Sequence, residues 1–193
     1  MQANTMTLAA AAWPSSEGQA NWLRYAVLAL AGTAILALSA QFKVPFGPVP
    51  FTMQTFVVLV MGMVYGRRLA VATVALYLAE GAIGLPVFAN GGGIAYFAGP
   101  TAGFLLAFLV AATLLGALAE RGWGRSFTST IGAMLIGTAV IFAGGLAWLG
   151  SLIGYEKAVA VGFMPFIFSE SAKIILAALV MPGCWRLVRR RSE

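Results

Sequence analysis

Glu170 and Lys173 are the residues of this chain best placed to do chemistry. They stand three apart inside an apolar run, Ala158 to Arg186, that no other charge interrupts. An i,i+3 spacing sets both on one side of a helix. If Pro165 opens that helix, Glu170 lies about 7.5 Å and Lys173 about 12 Å further along its axis, at 1.5 Å per residue. A charge inside a membrane helix costs about 2.5–3.5 kcal/mol on the insertion scale, which makes each one a functional-site candidate. Two readings stand: a polar contact for a ligand, or a self-neutralising pair that fixes helix packing. The pair falls on the side where the other polar residues collect, which favours binding.

Two further stretches carry polar chemistry. Lys43–Gln54 holds prolines at 45, 48 and 50, which fix φ and forbid a regular helix. Thr52 and Gln54 follow at the start of the next helix, where their side chains either cap it or face a ligand. Gly84–Gly103 contains Gly91–Gly93, Tyr96 and one amide side chain, Asn90, with both donor and acceptor capacity. The glycine run lacks the Gly-Lys-Ser/Thr of a phosphate cradle, which disfavours nucleotide binding. Here it lets backbone come close to a ligand or another helix. There is no His and no Asp, and the single Cys184 forms neither an internal disulfide nor an all-protein zinc site.

The elements that position these residues follow from composition. Of 193 residues 61% are hydrophobic and 9% charged, and the mean hydropathy is +0.91. An ordinary soluble domain is about 25% charged, so this reads as an all-α protein embedded in a lipid bilayer. Trimming Gly/Pro-rich stretches from the apolar runs leaves six helices, at roughly 22–42, 52–66, 68–83, 100–120, 127–149 and 165–188. The chain divides into a cytoplasmic tail (1–21), one compact six-helix transmembrane substrate-binding domain (22–188) and a basic cytoplasmic tail (189–193). Met1–Gly18 has no Lys or Arg, hence no secretory n-region. Its Leu8–Ala12 stretch reads either as a short interfacial helix or as a loose tail.

Charge sets the orientation. With both termini inside, all nine Arg fall on the inner face, Lys43 and Lys157 on the outer face, and Lys173 within the last helix. The net charge of +6 therefore reports topology; nucleic-acid binding would need clustered basic residues on a wet face. Three long, weakly charged outer connections (Lys43–Phe51, Gly84–Gly99 and Gly150–Met164) would then cap a pocket that opens outward. Ala29, Thr33 and Ala37 form a small-residue stripe suited to close helix packing, inside the bundle or with another protein. Glu80 reads as an interfacial carboxylate and Arg186–Arg191 as an anchor near anionic lipid.

Val49–Thr55 (Val-Pro-Phe-Thr-Met-Gln-Thr), Gly84–Ala89 with Gly91–Gly93, Gly99–Gly103 (Gly-Pro-Thr-Ala-Gly), and Pro165-Phe166 leading to an acid and a Lys three apart together resemble the BioY family. These are the biotin-specific substrate-binding S components of energy-coupling factor (ECF) transporters. The resemblance runs from about residue 25 to 185, in order. It implies a transport subunit rather than an enzyme, in the inner membrane of a bacterium, that captures biotin from outside. Its partners would be a transmembrane T component and two cytoplasmic ATPase subunits. Biotin would be the substrate, with no cofactor and no nucleic acid.

The family's last motif has the form Pro-Phe-x-Pro-Gly-Asp-x-x-Lys. Here Phe168, Ser169 and Glu170 replace Pro, Gly and Asp, and Lys173 is kept. The resemblance carries polar ligand contacts onto Asn90, Glu170 and Lys173; Gln54, Thr52, Gly91, Gly92 and Tyr96 complete the candidate set. Glu170 would accept from a ureido N–H, Asn90 would complement the other ureido groups, and Lys173 would meet either the ureido oxygen or the carboxylate. The alternatives are an S component for another small vitamin-like substrate, and a small intramembrane enzyme using Glu170 as acid/base. A missing His, Asp or obvious nucleophile argues against the enzyme.

Overall fold

The computed structural model describes residues 6–13 and 20–192; the remainder of the 1–21 tail and Glu193 lie outside the described residues. Eight α-helices account for most of them: α1 (Leu8–Ala12), α2 (Ala20–Gln41), α3 (Gln54–Tyr65), α4 (Arg67–Ala82), α5 (Ala102–Glu120), α6 (Phe127–Ile153), α7 (Tyr155–Gly162) and α8 (Phe166–Ser192). Two short strands, β1 (Lys43–Val44) and β2 (Phe51–Thr52), and a 3-10 turn, Ile94–Ala98, are the other elements among the described residues. Among the described residues, four helices are long and apolar enough to cross a membrane: Asn21–Gln41, Ala102–Glu120, Phe127–Ile153 and Phe166–Val188. α3, with 12 residues, and α4, with 16, reach about 18 and 24 Å at 1.5 Å per residue. Both fall short of the ~30 Å hydrocarbon thickness.

α3 and α4 are short because they form a tight hairpin. Gly66, at φ +76°, is the single residue between them, a conformation that favours glycine. The start of α4 lies so close to α5 that a Cβ on Gly116 would sit 2.4 Å from the backbone of Arg67. Glu120 then accepts from the Arg67 N–H at 2.9 Å, a carboxylate at a helix N-terminus where the macrodipole favours it.

α5 is the central helix and the most buried of the four long ones. It packs against α3 and α4 on one side and α6 on the other, while α8 closes on α6 and α3. Close approach is made by glycine: a Cβ on Gly145 of α6 would lie 2.3 Å from the ring of Phe104 on α5. Lipid tails are as apolar as leucine, so such shape fit, rather than burial from water, holds membrane helices together. Thr33, Leu36 and Ala40 of α2 are buried, and a Cβ on Gly32 would meet Thr73 of α4 at 2.5 Å. The small-residue side of α2 thus has a partner within the chain. Leu30, Ile35 and Leu38 face outward.

The third outer connection differs from the sequence expectation. Gly150–Met164 is mostly helical: α6 continues to Ile153, Gly154 breaks it at φ +88°, and α7 follows at once. Tyr155–Val161 lacks Gly and Pro, and Glu156 stands in the first turn of α7, where a carboxylate meets the positive end of the helix. At the other end, α1 is a formed helix. Arg24 donates to Ala9 O at 3.0 Å and Arg125 to Met6 O at 3.3 Å, tying the N-terminal segment to the bundle.

Candidate ligand-binding site

The proline-rich stretch folds into a short antiparallel ribbon, with Lys43 opposite Thr52 and Val44 opposite Phe51. At its base Phe51 stacks on Phe166 of α8 with centroids 4.2 Å apart, and Phe46 meets Phe51 edge-on at 5.1 Å. Beneath lies a cavity of about 50 Å³. The ribbon contributes Val49, Pro50 and Thr52; α3 contributes Gln54 and Thr55; the second connection contributes Phe88, Ala89 and Tyr96. Phe104 and Phe108 of α5, Phe142 of α6, and Phe166 and Glu170 of α8 supply the deeper wall. Aromatic walls with few convergent polar groups are the usual make-up of a small-molecule site.

Glu170 is buried, at 4% exposure. Its Oε1 accepts from Thr55 Oγ1 at 3.0 Å and from Lys173 Nζ at 2.6 Å. Its Oε2 is buried without a hydrogen-bond partner. A buried polar group left unpaired is costly, so Oε2 calls for a donor. Lys173 donates also to Thr55 Oγ1 at 2.9 Å and to Thr52 O at 2.7 Å. These three bonds use all three of its protons.

Thr52 and Gln54 stand at the cavity in positioning roles. Helix α3 starts at Gln54, and the Thr52 hydroxyl accepts from its backbone N–H at 3.3 Å. Gln54 is buried; its amide donates to the Tyr77 hydroxyl at 2.7 Å, and Tyr77 donates to Val87 O at 2.9 Å. That relay fastens the second connection to α3 and α4. Phe88 completes the fastening: it is fully buried, and its ring touches the bare backbone of Gly81.

Thr52, Gln54, Tyr96, Glu170 and Lys173 are thus brought together at one cavity or one bond away from it. Asn90, Gly91 and Gly92 are not among the lining residues. Asn90 is exposed and its Oδ1 accepts from Lys43 Nζ at 3.1 Å. Gly91 makes a tight turn at φ +117°, within the Phe88–Gly91 bridge. Gly92 lies against Leu85 O, where a Cβ would come within 2.1 Å. These glycines shape the turn that sets Phe88 and Ala89. Sequence reasoning missed Thr55, Tyr77 and Phe88 as site residues, and the tie that Lys43 makes to Ala89 and Asn90. Thr55 follows Gln54 directly and was within reach; Tyr77, in the middle of an apolar helix, gives no local signal.

The site can accept a hydrogen bond deep inside at Glu170 Oε2 and can enclose an apolar body between Phe rings. Among the described residues, no cluster of His, Cys, Asp or Glu could hold a metal ion.

Comparison with known proteins agrees with this architecture. The family model of the BioY family matches residues 5–190. The biotin transporter BioY of Thermotoga maritima is 39% identical over 150 residues, covering 77% of this chain and 88% of the relative. The probable biotin transporter BioY of Pyrococcus horikoshii is 38% identical over 148 residues, covering 76% and 87%. The fold is shared with the crystal structure of the S-component for biotin from an ECF-type ABC transporter, at a TM-score of 0.74 and 24% identity over 92% of this chain and 96% of that one. From residue 5 to residue 190, this chain belongs to the BioY family.

Proposed function

We propose that this chain is the S component of a biotin uptake system, which captures biotin at the outer face of the membrane. One observation carries the reading: a buried carboxylate whose Oε1 is held by Thr55 and Lys173 and whose Oε2 is left without a partner at an aromatic cavity. The biotin ureido group supplies an N–H donor for Oε2, and its apolar bicycle suits the Phe104, Phe108 and Phe142 wall. Lys173 acts on the ligand by orienting Glu170. Tyr96, Gln54 and Thr52 shape the wall around it, and Asn90, Gly91 and Gly92 form the turn that lies over it.

Ligand pockets usually span about 300–1,000 Å³. The 50 Å³ cavity therefore widens to admit biotin, by outward movement of the ribbon and the Gly84–Gly99 connection.

The membrane arrangement belongs to the same proposal. The protein is multi-pass, and the arginine distribution supports six crossings with both termini inside, α3 and α4 spanning as a short hairpin over which the bilayer thins locally. Its location is the inner membrane of a bacterium. The sequence has no Walker-type motif, so ATP hydrolysis falls to other chains, a pair of cytoplasmic ATPases joined through a transmembrane T component.

The test is equilibrium binding of biotin to the detergent-solubilised protein. Wild type binds biotin, and Glu170→Gln weakens it about 10- to 100-fold, the range for a hydrogen bond to a charged group. Equal affinity of the two would sink the assignment of Glu170, and no binding by wild type would sink the biotin reading.

A further inference from the structure

We propose that Lys43 is the residue that reads the carboxylate of the ligand, at the outer mouth of the cavity; this rests on the biotin reading above. A carboxylated ligand needs a cation or an array of donors, and Lys173 is unsuited to serve. Its three protons are committed to Thr52 O, Thr55 Oγ1 and Glu170 Oε1, and a second carboxylate beside it would face the charge of Glu170. The other two cations expected on the outer side are Lys43 and Lys157. Lys157 lies on α7, which contributes nothing to the cavity wall.

Lys43 stands between two residues that do line the wall. It is the ladder partner of Thr52, so the two side chains share one face of the ribbon. Its Nζ donates to Ala89 O and to Asn90 Oδ1 at 3.1 Å. These bonds join the ribbon to the second connection and leave one of the three ammonium protons uncommitted. Lys43 is exposed whereas Glu170 is buried. A ligand seated with its ureido group on Glu170 would carry its acid tail out toward Lys43. In this scheme the two charged residues read opposite ends of one molecule, a donor inside and an anion outside.

The experiment compares biotin with biotin amide, in which the carboxylate becomes an uncharged carboxamide, on wild type, Lys43→Met and Lys43→Arg. Wild type is expected to prefer biotin by about tenfold, a preference that shrinks as salt rises because the contact is exposed. Lys43→Met removes the preference by weakening biotin about tenfold while amide binding stays the same, which also shows that the variant is folded. Lys43→Arg keeps the preference. Equal weakening of both ligands in Lys43→Met would overturn the proposal and leave Lys43 as a tie between two loops. So would unchanged binding of both. Lack of any preference in wild type overturns the role of Lys43 but leaves biotin as the ligand; failure of wild type to bind either one overturns both.

Discussion

The Gln54 amide donates to the Tyr77 hydroxyl at 2.7 Å, and through it α3 grips a loop that neither residue belongs to. Tyr77→Phe removes that hydroxyl and leaves the Gln54 amide and the Val87 carbonyl without their partner. Leaving such buried groups unpaired costs about 1–3 kcal/mol. The variant is expected to melt earlier in detergent and to be cut faster by protease within residues 84–99. Unchanged cleavage there would mean that the relay does not hold the loop.

Gly81 and Phe88 make a sharper case. A Cβ on Gly81 would lie 2.0 Å from Phe88 Cζ, on a ring with no room to retreat. Gly81→Ala therefore displaces Phe88, with an overpacking cost of about 1–3 kcal/mol, and weakens biotin binding. Adding Phe88→Leu to Gly81→Ala is expected to restore part of the lost stability. A double variant no more stable than Gly81→Ala alone would show that the clash is not the cause.

The ion pair separates stability from recognition. Removing one partner of a buried pair costs about 3–5 kcal/mol, whereas replacing both by apolar residues is often neutral or better. Lys173→Met is expected to destabilise strongly, and Glu170→Leu with Lys173→Met to recover most of the melting temperature. The double variant still binds no biotin, because the acceptor at Oε2 is gone. Biotin binding by the recovered double variant would remove Glu170 from the site.

Topology is checked by labelling intact cells in a Cys184→Ala background. A membrane-impermeant maleimide is expected to label Lys157→Cys from outside, and Arg68→Cys and Arg121→Cys only after permeabilisation. Labelling of Arg68→Cys from outside would refute the six-crossing arrangement.

Much of this molecule was legible because its physics is one-dimensional. Apolar runs between charges located α2, α5, α6 and α8, and the i,i+3 spacing put Glu170 and Lys173 on one side of α8, where they form a 2.6 Å ion pair. Prolines 45, 48 and 50 indicated an extended approach to α3, which the ribbon provides. Features that depend on long-range pairing were not legible. Nothing local to Tyr77 indicates a bond to Val87, and nothing local to Lys43 indicates that it would take the Asn90 side chain. The helix α7 was hidden by the glycines at 150, 154 and 162, which read as loop residues yet cap and space two helices.

The small cavity also has a consequence in time. If the cavity widens as proposed, a ligand the size of biotin enters when the ribbon and loop part. The binding rate is then expected to rise with biotin concentration at first and to level off at the frequency of that opening. Loop and lid motions of this kind fall between microseconds and seconds. The same closure would slow escape, so that a modest number of polar contacts gives a long residence.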